Sequence, residues 1–246
     1  MIKKVFFLAY GIISYLIFFA TFCYAVGFVS ALLVPKHIDS DPQTPLGYAF
    51  LVNAGLLSIF ALQHSIMARP GFKRWWTQFV PEPIERSTYV LMASLCLILL
   101  FWFWQPMGGV IWKVQDPWLQ ILLKSVCLLG FGIVLISTFM INHFDLFGLR
   151  QVSLYFIGKP YQQLSFRTPF FYKYVRHPLY LGFMIAFWST PNMTAAHLFF
   201  AVMTTAYMII AIQFEERDLV NHFGAQYQDY KRSAPMLIPF LKKHRK

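Results

Sequence analysis

The sequence predicts an all-α integral membrane protein with about six transmembrane helices, the last two a short hairpin, and a cytoplasmic C-terminal amphipathic tail. Three observations predict it. The chain is 58% hydrophobic with a mean hydropathy of +0.53, beyond what soluble domains usually carry. Its apolar residues gather into runs of the length a helix needs to cross a hydrocarbon core of about 30 Å. Its charged residues, only 13% of the chain, fall between those runs with a sign bias that leaves a net charge of +11.

Lys3 and Lys4 lead into the first run, residues 5–34, read as an uncleaved first span because no small-residue cleavage site follows it. Runs 47–68, 88–105 and 118–142 supply three more spans. The fifth run, Leu179 to Thr190, has only 12 residues, roughly 18 Å of helix. It ends at the turn signal "TPNMT" (190–194), and a sixth run returns from Ala195 to Gln213. The N-terminus, segments 69–87 and 143–177, and the tail from Glu215 hold 18 of the 21 Lys and Arg. Segments 35–46 and 106–117 hold one each, Lys36 and Lys113, and Lys124 sits early in the fourth run. Basic residues stay on the cytoplasmic side, so both termini are expected there. Anionic lipid headgroups account for the basic balance, which leaves the lipid bilayer as partner and no nucleic acid. Cys23, Cys96 and Cys127 all fall in apolar runs and read as buried, inert thiols, with no metal site. The chain reads as a single domain, 1–246. It comprises four N-terminal spans (5–142), a cytoplasmic loop (143–177), and the hairpin with its tail (178–246).

Four polar clusters fall on the basic side. In "YVRHPLYLG" (174–182), Pro178 suits a first helical turn and makes His177 the cap. The free N–H groups of that helix start, beside Arg176, form an anion site, with Tyr180 one turn in and Gly182 allowing close approach. A snorkelling arginine beside an interfacial histidine is the plainer alternative. Glu215 and Glu216 close the sixth run, at the wrong helix end for the macrodipole. They read either as a solvated pair or as an acceptor for hydroxyls or an amine. In "HFGAQYQDYKRSAPMLIP" (222–239), Tyr227 and Tyr230 share a helix face that ends at Pro235 and Pro239. That helix either lies on the membrane or covers a planar ligand. "INHFDLFGLRQV" (141–152) places His143, Asp145, Arg150 and Gln151 together, and "QHS" adds His64 at the end of the second run.

Together, "RHPLYLG" and "EERDLVNHFGAQYQDYKRSAPMLIP" resemble the isoprenylcysteine carboxyl methyltransferase and phospholipid methyltransferase superfamily, over residues 174–239. "QHSIMARPGFK" (63–73) and "NHFDLFGLRQV" (142–152) resemble the bacterial methanethiol S-methyltransferases and, more loosely, denitrification-associated membrane proteins. One departure is Ala234, where the pattern usually has Val. The resemblance implies an inner-membrane enzyme using S-adenosylmethionine (SAM) to convert methanethiol, a small thiol, to dimethyl sulfide. It implies that Arg176, His177, Tyr180 and Gly182 line the methionine end of the cofactor. Glu215 and Glu216 would take ribose or amine, and Tyr227 and Tyr230 would cover the cofactor from the tail.

A small thiol ionises near pH 10, above the value of about 8.5 for cysteine, so a base or a nearby cation helps it react. His143 or His64 is expected to be that base, with Asp145 orienting and Arg150 supplying field. Two alternatives remain at this level: an NADPH-dependent sterol reductase-like enzyme, and a non-catalytic membrane protein of the same fold.

Overall fold

A computed structural model of the chain describes residues 1–239; the basic end of the tail, 240–246, lies outside the described residues. The protein is mostly helical. Among the described residues, five helices are long and apolar enough to cross a membrane: α1 (Ile2–Ser30), α2 (Leu46–Ala68), α4 (Glu82–Phe103), α5 (Pro117–Ile141) and α10 (Ala195–Phe223). Between them lie α3 (Pro70–Trp76), α6 (His143–Leu146), α7 (Leu149–Phe156), α8 (Phe171–Tyr174) and α9 (Pro178–Trp188). The tail carries α11 (Ala225–Ser233). These apolar helices make the chain an integral membrane protein.

Several boundaries move from those expected. The first run stops at Ser30, where Ala31 takes a left-handed φ of 55° and its N–H caps Gly27 O. Helix α4 begins at Glu82 because Pro83 occupies its first turn and Glu82 and Glu85 complement the dipole there. Helix α9 has only 11 residues, about 16 Å, so it does not reach across a bilayer by itself. Helix α10 does not stop at Gln213 but runs 29 residues to Phe223. Glu215 and Glu216 therefore stand inside a helix rather than beyond its end. The all-α expectation also gives way locally: β1 (Val110–Lys113) and β2 (Asn192–Thr194) pair as a two-stranded sheet. Trp112 Nε1 donates to Thr190 O at 3.1 Å in the turn before β2. Of the three cysteines expected inside, Cys127 is buried, Cys96 half-buried and Cys23 exposed.

The chain divides into two compact units. The first comprises residues 1–109, 142–163 and 194–196. Within it α4 packs on both α1 and α2, and α7 packs on α1 and α4. Gly11 lets α7 come close: a Cβ there would lie 2.5 Å from Val152 Cγ2. The α4 end is clasped by Asn53, whose side chain donates to Gln105 O at 2.7 Å and accepts from Gln105 N at 2.9 Å.

The second unit comprises residues 110–141, 164–193 and 197 onward. Helices α5 and α9 make its closest packing. A Cβ on Gly182 would fall 2.7 Å from Gly130 O, and one on Gly130 would fall 2.6 Å from Ala186 N. Small residues that let backbones approach are what membrane helix pairs use. Trp188 Nε1 donates to Thr205 Oγ1 at 3.0 Å, tying α9 to α10.

Candidate active site

The second unit gathers Arg176, His177 and Glu216 into one buried ion cluster. Arg176 Nε donates to Glu216 Oε1 at 2.7 Å, His177 Nε2 lies 3.1 Å from the same oxygen, and Lys231 Nζ is 2.8 Å from Oε2. Against an ionised carboxylate the ring nitrogen is the donor, so His177 carries its proton on Nε2. Arg176 Nη1 also donates to the carbonyls of Lys231 at 3.1 Å and Ala234 at 2.5 Å. The arginine and glutamate side chains are 7% and 5% exposed, so water cannot replace either partner.

The reason these groups meet is local. Pro178 opens α9 and leaves His177 as a cap whose side chain makes no cap hydrogen bond, freeing the ring to face α10. The tail then pairs backbone to backbone: Arg176 N–H donates to Pro235 O at 2.9 Å and His177 N–H to Met236 O at 3.2 Å. The continuation of α10 beyond Gln213 presents Glu216 inward, with Glu215 beside it. The Glu215 side chain is 42% exposed and its Oε2 lies 3.9 Å from His177 Nδ1.

Around this cluster stand tyrosines. The Tyr230 hydroxyl donates to Tyr172 O. Tyr227 is 2% exposed, and its hydroxyl is buried without a hydrogen-bond partner among the described residues. Burial holds the phenols of Tyr172, Tyr227 and Tyr230 well above their ordinary range, so all three are neutral donors. Tyr180 rests its ring 5.7 Å from that of His177. The close approach expected at Gly182 is made by the Gly130 carbonyl of α5. Lys231 and Tyr172 were not singled out from sequence; Lys231 was visible only as one of several tail cations.

The remaining predicted residues belong to the first unit. His143 is 2% exposed, and its Nε2 lies 2.8 Å from the Tyr15 hydroxyl. Burial lowers its pKa below the ordinary 6.5, so the imidazole is neutral at pH 7. Asp145 takes Arg150 Nη1 on Oδ1 at 2.7 Å and the Tyr161 hydroxyl on Oδ2 at 3.4 Å. Its backbone N–H is capped by Asn142 Oδ1 at 3.0 Å. The carboxylate thus serves Arg150 and Tyr161. Gln151 Nε2 donates to Asp145 O at 3.1 Å. His64 is bonded to the Tyr89 hydroxyl, 2.9 Å from its Nε2, and Arg86 lies 4.8 Å over the Tyr89 ring. Tyr15 and Tyr89 are partners that sequence reasoning missed, since a tyrosine in an apolar run reads as packing.

Comparison with known proteins agrees with these motifs. The family model described as NnrU protein matches residues 52–211. Methanethiol S-methyltransferase of Crocosphaera subtropica is 55% identical over 98% of this chain and 95% of its own length. The protein of that name from Mycobacterium tuberculosis is 53% identical over 98% of this chain and 99% of its own. Nurim of Xenopus laevis is 30% identical over 68% of this chain and 61% of its own. No solved structure matches. Methyltransferase relatives of near-full-length similarity imply a methyl donor and make this chain a membrane methyltransferase. The chain therefore belongs to the NnrU family and to that of its relatives named methanethiol S-methyltransferase.

Proposed function

We propose that the protein methylates methanethiol to dimethyl sulfide with SAM as donor. The observation that carries this reading is the near-full-length similarity to enzymes of that name. The residues of the second unit fit the donor. A buried, unpartnered hydroxyl at Tyr227 asks for an acceptor, and the half-exposed Glu215 offers one to ribose or amine. Arg176 and His177 are engaged by Glu216, so their part is to hold the α9 start and the tail in register beside Tyr180. Tyr230 fixes the tail against Tyr172. When bound, the sulfonium supplies an electrophilic methyl group. The protein's part is to bind the donor, exclude water and take the thiol proton.

His143 is the favoured base, neutral at pH 7, with His64 as the other candidate and Arg150 supplying field. The α9–α10 pair inserts as a hairpin, for six membrane helices with both termini cytoplasmic and the tail against the inner leaflet of a bacterial inner membrane. The charge distribution and the bacterial relatives support that placement. The test is purified protein in detergent with SAM and methanethiol, reading dimethyl sulfide in the headspace. Tyr227→Phe should weaken SAM binding about tenfold, one charge-free hydrogen bond's worth. A parent protein that neither binds SAM nor releases dimethyl sulfide overturns the reading.

A further inference from the structure

We propose that Tyr15 is the residue that receives the thiol proton and passes it to His143, so that a tyrosine in the first helix is the catalytic group facing the acceptor. The inference rests on the acid–base reading given under the proposed function and deepens it. His143 is 2% exposed, and its Nε2 sits 2.8 Å from the Tyr15 hydroxyl. Rings close the imidazole in: Phe147 at 4.8 Å, Phe144 at 5.4 Å and Tyr15 at 5.7 Å, all at steep angles to it. A substrate cannot place its sulfur against a nitrogen so enclosed.

Tyr15 is only half-buried, so its hydroxyl is the reachable end of the hydrogen bond. The other histidine–tyrosine pair of this unit has the opposite order. There Tyr89 is 7% exposed and His64 is the more open partner. The two pairs are thus not interchangeable: one buries the phenol beside a half-buried imidazole, the other buries the imidazole beside a half-buried phenol.

The step balances without a further reactant. The thiol S–H bond breaks and its proton goes to the Tyr15 oxygen. The Tyr15 O–H bond breaks and its proton goes to His143 Nε2. The electron pair left on the thiol sulfur would form the new S–CH3 bond as the S–CH3 bond of the sulfonium donor breaks. That breaking bond leaves its electron pair on the donor sulfur, now a neutral thioether, and the imidazolium later returns its proton to solvent. On the neighbouring elements, Arg86 of α4 donates from Nε to Leu146 O at 2.7 Å, and α6 and α7 carry the Asp145–Arg150 ion pair. The apolar surface of α1 beside Tyr15, with Leu16 and Phe19 exposed, suits a small thiol that partitions into lipid.

The experiment compares the parent, Tyr15→Phe, His143→Gln and the double variant from pH 6.5 to 9. It measures dimethyl sulfide release and, separately, SAM binding by calorimetry. Phenylalanine keeps the ring packing and removes only the hydroxyl. Expected is a loss of about 10²-fold in kcat at pH 7 for Tyr15→Phe, the lower end of general-base effects. The loss should narrow as pH rises, SAM affinity should hold, and the double variant should be no worse than the poorer single one. Loss in His143→Gln with none in Tyr15→Phe overturns the relay and leaves the base intact. No loss in either variant overturns both. An equal loss at every pH assigns Tyr15 a packing role and also overturns the relay. A parent without activity is the separate failure of the proposed function.

Discussion

Replacing Glu216 with Leu should destabilise the protein far more than any other change in the tail cluster. The substitution leaves Arg176, 7% exposed, with two carbonyl acceptors and no countercharge. Stranding a buried charge costs about 3–5 kcal/mol. At about 2–4 °C per kcal/mol for a chain of this size, the unfolding midpoint falls by about 6–20 °C. Lys231→Met removes a partner whose side chain is 39% exposed and can be replaced by water. It should cost no more than about 1 kcal/mol. The double variant Arg176→Met/Glu216→Leu removes both charges at once. It should recover about 1–3 kcal/mol relative to the sum of the singles, although the carbonyls of Lys231 and Ala234 lose their donor. Thermal unfolding of detergent-solubilised protein at a fixed scan rate, followed by tryptophan fluorescence, compares these three variants and the single Arg176→Met with the parent. Strict additivity of the two single substitutions would refute the argument, because it would mean that the charges do not compensate one another.

Reporter fusions at Lys246 and inside segment 35–46 should give opposite signals, and equal signals would sink the six-helix topology. Gly182→Ala should separate α5 from α9, since the new Cβ meets backbone at 2.7 Å; a loss of folded yield is expected while Gly132→Ala, with open space, folds as the parent does. Burial lowers the His143 pKa below 6.5, so the unfolded chain holds that proton more tightly. The stability the neutral ring contributes is then complete above pH 6.5 and lost as pH falls through it toward the folded value, and His143→Gln should flatten that part of the stability–pH curve.

Span positions were legible because hydropathy and length suffice to find a helix of about 20 residues. The α10 extension was not. Phe214 to Phe223 is rich in charge, and nothing in hydropathy says that a helix continues once it stops being apolar. Arg176, His177 and Lys231, distant in sequence, give Glu216 a reason to stay helical and buried. Arg176, His177 and Glu216 meet in space, and the sequence motifs do not reveal that pairing. An arginine and a glutamate look alike in sequence whether they face a ligand or one another. Asp145 offers the same lesson at short range: the turn geometry of α6 and α7 brings Arg150 onto its carboxylate, a pairing that spacing alone does not announce. The two strands escaped notice because β2 has only three residues and follows a turn.

The tail cluster also sets a timetable. Arg176 finds its carboxylate 40 residues later in the chain, and the Ala234 carbonyl 58 residues later. At about 5–20 residues per second, synthesis leaves the arginine without them for about 2–12 seconds. During that interval the start of α9 carries a cation that has nothing to neutralise it, and the helix pair below has no lock. Completion of the fold is thereby reserved for chains that have been made nearly to the end. A product truncated before residue 216 would keep that uncompensated cation permanently, at the start of α9.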